Sequence, residues 1–253
     1  MKLVALRRLL ALGQSGQGRQ LGEAAMRRLG FRIDPPVSTS HLDAFDRQYG
    51  VETRGSLQWD ELADGGDAAA FVTAYLGVRP DWARALIRHV DAADRTFVDF
   101  GCGKGTALVV ASEFPFRAIT GVEFSPQLCD VARRNAAVIA DRFPGRPPIS
   151  VVQSDAADFE FAGGRYTVFM YHPFLKPVMK RVVRNLDRAL EAGAADEITV
   201  LYVNPQFAGT LDRSRLFRRS PPGLIDFEPG GRSGLRSQAG IWRTGGPAAG
   251  RGT

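Results

Sequence analysis

Two cysteines, three histidines and four lysines are few for a chain of 253 residues, and each scarcity removes a class of protein. Cys102 and Cys129 cannot build a disulfide framework, and they suit a reducing compartment. His41, His89 and His172 are scattered and show no metal-ligand spacing. No run of eighteen apolar residues occurs, so no segment reads as a membrane-spanning helix. The opening MKLVALRRLLAL starts like a secretory leader. Arg7 and Arg8 break its apolar run, however, and no small-residue cleavage site follows. The expectation is a cytoplasmic protein.

Arginine, by contrast, is plentiful. The formal net charge is +6 and the isoelectric point about 9.7. That charge is uneven: residues 1–30 hold six Lys/Arg against one Glu, and residues 212–253 hold eight Arg against three Asp/Glu. The middle, 31–211, has 19 basic and 23 acidic residues, so a mildly acidic core carries two basic ends. Such ends read first as a solubilising surface, with an anionic partner as the alternative. The length suits one α/β domain with an N-terminal extension.

Residues 1–30 read as an amphipathic helix, with Leu3, Leu6, Leu9, Leu10 and Leu12 on one face. Residues 31–66 are loop-rich, and two helical segments are predicted between about 67 and 92, split near Arg79-Pro80. The chain then alternates. Strands are predicted at 96–100, 118–124, 149–154, 166–171 and 197–203, with helices at 105–113, 125–143 and 175–192 between them. Ser125-Pro126 is a good helix start, a capping serine followed by proline. This order predicts a doubly wound α/β fold, a mostly parallel sheet with helices on both faces. Two further strands, GLIDFE and AGIWRT, fall within 222–244, and the Gly-rich 245–253 is expected to be disordered.

The segment TFVDFGCGKG (96–105) carries the chemistry. A strand that runs into a glycine-rich turn and then a helix start is a ligand site at the carboxyl edge of the sheet. A nucleoside triphosphate would require G-x-x-x-x-G-K-[ST], and the spacing around Lys104 is wrong. A dinucleotide would require G-x-G-x-x-G, but the third position falls on Thr106. The carboxylate of Asp99 would also face a pyrophosphate with like charge. A ligand with an ammonium and a carboxylate, such as S-adenosylmethionine, makes Asp99 useful. Asp99 attracts the ammonium, and the N–H groups from Gly103 to Thr106 are placed for the carboxylate. Glu123 ends the next strand, eighteen residues beyond Gly105, where it could accept ribose hydroxyls. Asp155 follows the strand after that, where it could accept from an adenine amine.

VDFGCGKG, GVEFS and QSDAADF resemble motifs I, II and III of the class I S-adenosylmethionine-dependent methyltransferases, over about residues 67–244. FDRQYGVETRG, ahead of them, is similar to the N-terminal part of a bacterial subgroup of unassigned substrate. The resemblance implies a seven-stranded sheet closed by a C-terminal antiparallel hairpin. It divides the chain into an N-terminal helix and lid-like segment (1–66), a methyltransferase domain (67–244) and a tail (245–253). It implies S-adenosyl-L-methionine as cofactor, held by Asp99, Gly101, Gly103, Gly105, Thr106, Glu123, Phe124 and Asp155. Tyr49 and Thr53 would join them from the lid-like segment.

By the same resemblance, the end of the strand YTVFMYHPF lies beside the transferred methyl group. Many enzymes that methylate nitrogen carry Asn or Asp, then Pro, then an aromatic residue there. This chain has His172, Pro173 and Phe174 after Tyr171. The candidate catalytic residues are therefore His172 and Tyr171, and the candidate substrate-binding residues Pro173 and Phe174. A histidine titrates near physiological pH but cannot copy an amide's donor–acceptor pair. The expected acceptor is a nitrogen or oxygen nucleophile on a small molecule or protein side chain. Nucleic acid is not favoured, because no basic patch interleaved with aromatics is visible. A non-catalytic binding module and a nicotinamide-dependent oxidoreductase are the alternatives.

Overall fold

A computed structural model describes residues 40–57, 75–172, 174–229 and 237–244. The helix expected over 1–30, Pro173 and the tail 245–253 lie outside the described residues. In chain order the elements are α1 (Ser40–Tyr49), β1 (Ser56–Leu57), β2 (Tyr75–Leu76), α2 (Pro80–Ile87), β3 (Arg95–Phe100), α3 (Thr106–Ala111), β4 (Ala118–Glu123) and α4 (Pro126–Arg142). Then follow β5 (Ile149–Gln153), a short 3-10 turn, β6 (Arg165–Tyr171), α5 (Lys176–Glu191), β7 (Glu197–Val203), α6 (Ala208–Asp212), β8 (Phe217–Asp226) and β9 (Gln238–Thr244).

Seven strands form one sheet in the order β5-β4-β3-β6-β7-β9-β8. The first five run parallel, and β9 pairs antiparallel with both β7 and β8. The five parallel strands stand within one residue of the bounds read from the sequence. The doubly wound sheet and its antiparallel C-terminal pair are as expected.

Alternation along each strand builds two core layers. Phe97, Phe169 and Leu201 face one layer, which they share with Leu86 of α2, Val109 of α3 and Ile139 of α4. Val98, Phe100, Val168, Met170 and Val200 face the other, against Val182 and Leu186 of α5 and Leu211 of α6. A side-chain period of two on a strand covered on both faces produces this pattern. Asp99 shares the parity of Phe97, so a carboxylate stands where the first layer would take an apolar side chain.

Three expectations are corrected. The loop-rich reading of 31–66 missed α1, which presents Leu42, Phe45 and Tyr49 at i, i+3 and i+7, all buried. The helix is short, only three of its ten residues are large and apolar, and Gly50 ends it at φ +72°. Of the two helical segments expected between 67 and 92, residues 67–74 lie outside the described residues; the described part holds one helix, α2, preceded by β2. That strand pairs with β1 through Ser56↔Leu76 and Leu57↔Tyr75. A two-residue ladder has no period to read. Lastly, β8 begins at Phe217, ahead of the expected start. Its register shifts between Arg219 and Leu224, across Pro221 and Pro222, which have no N–H to give the ladder.

Leu42 has no exposure and lies within packing distance of Gly77, where an added Cβ would meet Leu42 Cδ1 at 2.9 Å. Leu42→Ala should therefore lower unfolding stability by about 2–5 kcal/mol, read from the urea midpoint. A loss under about 0.5 kcal/mol would mean that α1 is only an appendage.

Candidate cofactor and acceptor site

The glycine loop leaves β3 with Gly101, Gly103 and Gly105 at φ +77°, +53° and +88°. All three lie in the left-handed region, where a side chain is strained. The loop is tied to β4, as Gly101 and Cys102 donate their N–H groups to the Val122 carbonyl at 2.8 and 3.1 Å. Glu123 is pinned between the loop and the start of α4. Its Oε2 accepts from the Gly103 N–H and its Oε1 from the Ser125 N–H, both at 2.9 Å. Ser125 in turn accepts from the Leu128 N–H and caps α4. The Gly105 N–H is given to the Cys102 carbonyl at 2.8 Å. Two of the loop amides expected to hold a ligand carboxylate are thus engaged within the protein.

Asp99 is 4% exposed, and no donor reaches its carboxylate among the described residues. Burial raises its pKa well above the usual carboxylate range, and the charge of Glu123 adds to that. Burial also raises Glu123, against the lowering by its backbone donors. Close by, the Thr106 hydroxyl is buried without a hydrogen-bond partner. These features fit a ligand that brings a cation to Asp99 and a polar group to Thr106, as the ammonium and carboxylate of S-adenosylmethionine would. Cys102 lies in the loop and Cys129 on α4, but burial pushes both thiols up, Cys129 to about 11, so neither is a nucleophile near neutrality.

The lid-like expectation divides. Thr53 lies at the loop: its carbonyl and Thr106 Oγ1 would each stand 3.3 Å from a Cβ added at Gly77. Its own N–H and hydroxyl are given to Asp46 of α1, the hydroxyl at 2.6 Å. Tyr49 is not brought to the site. Its hydroxyl donates to Glu113 at 2.8 Å, beyond the end of α3, and its ring packs on Phe45 and on Phe143, past the end of α4. Those helix ends lie at the opposite edge of the sheet.

Phe124 is half-buried directly after Glu123. Asp155 stands at the expected edge with both oxygens in use. Oδ1 accepts from the Ala157 N–H at 2.8 Å, and Oδ2 pairs with Arg181 at 2.9 Å. Tyr171 packs on the Asp99 face of the sheet, and burial raises its hydroxyl to about 12. His172 turns to the other face. Its Nδ1 lies 3.3 Å from the Tyr202 hydroxyl, and its ring is 5.4 Å from that of Phe207. Burial lowers its pKa to about 4, so its neutral form prevails at physiological pH. Phe174 is buried in the core layer with α5.

Two residues were missed. Asn204 follows β7 as His172 follows β6, since Tyr171 and Val203 are register partners. Both lie in the left-handed region, at φ +38° for His172 and +51° for Asn204. The signal was present as Asn204-Pro205-Gln206-Phe207, one strand beyond the place searched. Asn135, inside α4, has no local signal, because its partners are 83 and 31 residues away. Among the described residues no His/Cys/Asp/Glu cluster could hold a metal ion, and no helix is long and apolar enough to cross a membrane.

Residues 97–193 match the family described as "Methyltransferase domain". The release factor glutamine methyltransferase of Vibrio cholerae is 39% identical over 66 residues, 24% of this chain and 23% of the relative. The matched stretch thus spans about a quarter of that protein's length. The ribosomal protein L11 methylase of Lactobacillus delbrueckii subsp. bulgaricus superposes with a TM-score of 0.45 at 13% identity, covering 66% of this chain and 78% of that one. An rRNA methylase of Streptococcus thermophilus gives 0.44 at 11% identity, covering 68% and 100%.

Two measurements test the electrostatics. A carboxyl raised by folding contributes stability below its unfolded pKa and loses it as pH rises through the folded value, so ionising Asp99 costs stability in the unliganded protein. Asp99→Asn should raise the unliganded Tm at pH 7 by roughly 2–4 °C, and a fall would mean that the carboxylate has a donor. His172 has the opposite sign. Its folded pKa lies below the unfolded value, so it costs stability as pH falls from 6.5 towards 4. His172→Asn should match the wild type's pH dependence above 7 and exceed its stability increasingly below 6.5, approaching about 3 kcal/mol. A pH-independent difference would show an exposed imidazole.

Proposed function

We propose, starting from the match of residues 97–193 to the methyltransferase-domain family, that this chain binds S-adenosyl-L-methionine and transfers the methyl group to a nitrogen or oxygen nucleophile. The acceptor is a small molecule or a protein side chain. One observation carries the reading: a buried Asp99 that meets no donor among the described residues, beside Glu123, at the mouth of a loop of left-handed glycines. A pyrophosphate would add charge of the same sign to that pair, whereas an ammonium offsets it. The relative matched over 66 residues is by name a glutamine methyltransferase of release factors, which supports keeping protein side chains in the acceptor class.

The cofactor supplies an already activated methyl group on a sulfonium centre. The chain's work is then to hold, orient and exclude water. Asp99 holds the ammonium, Glu123 has lone pairs left for ribose hydroxyls, and Thr106 offers its unpartnered hydroxyl. The acceptor edge is Tyr171, His172 and Asn204, at the ends of the neighbouring strands β6 and β7. Asn204 is the amide that His172 fails to supply. Its side chain can both accept and donate, which suits the lone pair and the hydrogen of an amine or amide. His172, neutral, shapes this edge by packing on Phe207 and approaching Tyr202. Left-handed backbone at two adjacent strand ends is the kind of strain that binding sites retain.

The test is calorimetric titration of the full chain with S-adenosylmethionine and, separately, NADH. Micromolar binding of the former alone is expected, with Asp99→Asn weakening it by roughly 1–3 kcal/mol, the loss of a charge-assisted contact. Binding of NADH, or of neither, would reopen the enzyme class. Cofactor binding without labelled methyl transfer to any protein or small-molecule fraction would favour a non-catalytic module.

A further inference from the structure

Residues 52–54 are fastened to the glycine loop by one buried side chain. Asn135, on α4 and 4% exposed, accepts the Glu52 N–H at its Oδ1, 2.9 Å away. Its Nδ2 donates to the Glu52 carbonyl at 2.9 Å and to the Lys104 carbonyl, inside the loop, at 2.8 Å. One carboxamide therefore fills both backbone groups of Glu52 and one of the loop. Lys104 closes the same junction from the loop side, its Nζ donating to Glu52 Oε1 at 3.0 Å and to the Arg54 carbonyl at 2.9 Å. Asp46 closes it from α1, accepting the N–H groups of Thr53 and Arg54 as well as the Thr53 hydroxyl. Polar contact thus runs without a gap from α1 through 52–54 to the loop and α4.

We propose that Asn135 is a positioning residue for the cofactor site: by clamping 52–54 onto Lys104 it sets the conformation of the glycine loop, so that loop order and the docking of α1 form one equilibrium. The inference rests on the cofactor reading above. Asn135 lies on the helix side of the loop, is buried among protein groups, and touches neither Asp99 nor Glu123 by any hydrogen bond, so its influence passes through the backbone of 103–105. The convergence at Gly77 supports this. An added Cβ there would lie 3.3 Å from both the Thr53 carbonyl and Thr106 Oγ1, so the strap formed by 52–54, the chain after β2 and the start of α3 at the end of the loop are in one packed contact. A ligand that orders the loop must then also order the strap, by reciprocity of coupled equilibria.

Titration of the full chain with S-adenosylhomocysteine, together with hydrogen exchange at the amides of Glu52, Thr53 and Arg54, tests this. Asn135→Asp keeps the size and the acceptor but removes both donated bonds, and Asn135→Ala removes all three. Each should weaken S-adenosylhomocysteine binding at least tenfold. In the wild type the ligand should slow exchange at those three amides, and in the variants that slowing should vanish. A merely structural asparagine would lower the Tm of the unliganded protein and leave affinity within twofold, which overturns the proposal. Should either variant fail to fold, the wild-type exchange decides: unchanged rates at 52–54 on binding overturn it. A wild type that does not bind S-adenosylhomocysteine defeats the cofactor reading and this inference with it.

Discussion

A buried carboxyl group that meets no hydrogen-bond donor among the described residues is the constraint around which this molecule is arranged. Asp99 occupies a core-facing position on the central strand β3, between the apolar Val98 and Phe100, which face the other layer. A second acid, Glu123, stands close enough to raise it further. Burial disfavours the ionised form of both, so their charges are costly until a cation is brought to them. The rest of the local architecture keeps that pair in place. Glu123 is anchored by two backbone amides, the loop is tied to Val122, and the strap from α1 is fastened over the loop's outer side. A rigid surround holding an unbalanced charge is what electrostatic preorganisation amounts to.

The alternation of β-branched and aromatic runs with helical stretches made the sheet legible from the sequence. Each of the five parallel strands is six or so residues of apolar character bounded by turn residues, and periodicity reads such segments well. The acids at three strand ends were legible for the same reason, since a strand's end is marked by where its pattern stops. What escaped was non-local. Asn135 matters through residues that only folding brings near it. Tyr49 is an aromatic within a promising motif, yet the register of α1 turns it towards Glu113 and the far edge of the sheet. The pKa of His172 depends on burial beneath Phe207, which its neighbours in sequence do not foretell. The twin strand ends of His172 and Asn204 were half legible: the first was sought because of its resemblance to a motif, and the second shared the same shape without having been sought.

Opposite strand faces give the two halves of the site different work. Asp99 and Tyr171 belong to the face covered by α2, α3 and α4, while His172 belongs with Tyr202 and α6 on the other. Only at the carboxyl edge, where the backbone leaves the sheet, can groups from both faces meet a common ligand. The left-handed turns at 172 and 204 occur at that edge, and they redirect side chains that the pleat would otherwise send into the core.

The strand order has a consequence for how the molecule comes into being. β9 sits between β7 and β8, so the outer neighbour of β7 is the last of these strands to be made. Until residue 244 has been synthesised, β7 presents seven residues of almost wholly apolar chain along an open edge, with no partner to its outer side. Nascent chains with such an edge are prone to pair with one another. Closing it buries Trp242 completely, so the sheet is sealed by its final strand rather than grown outward from its first.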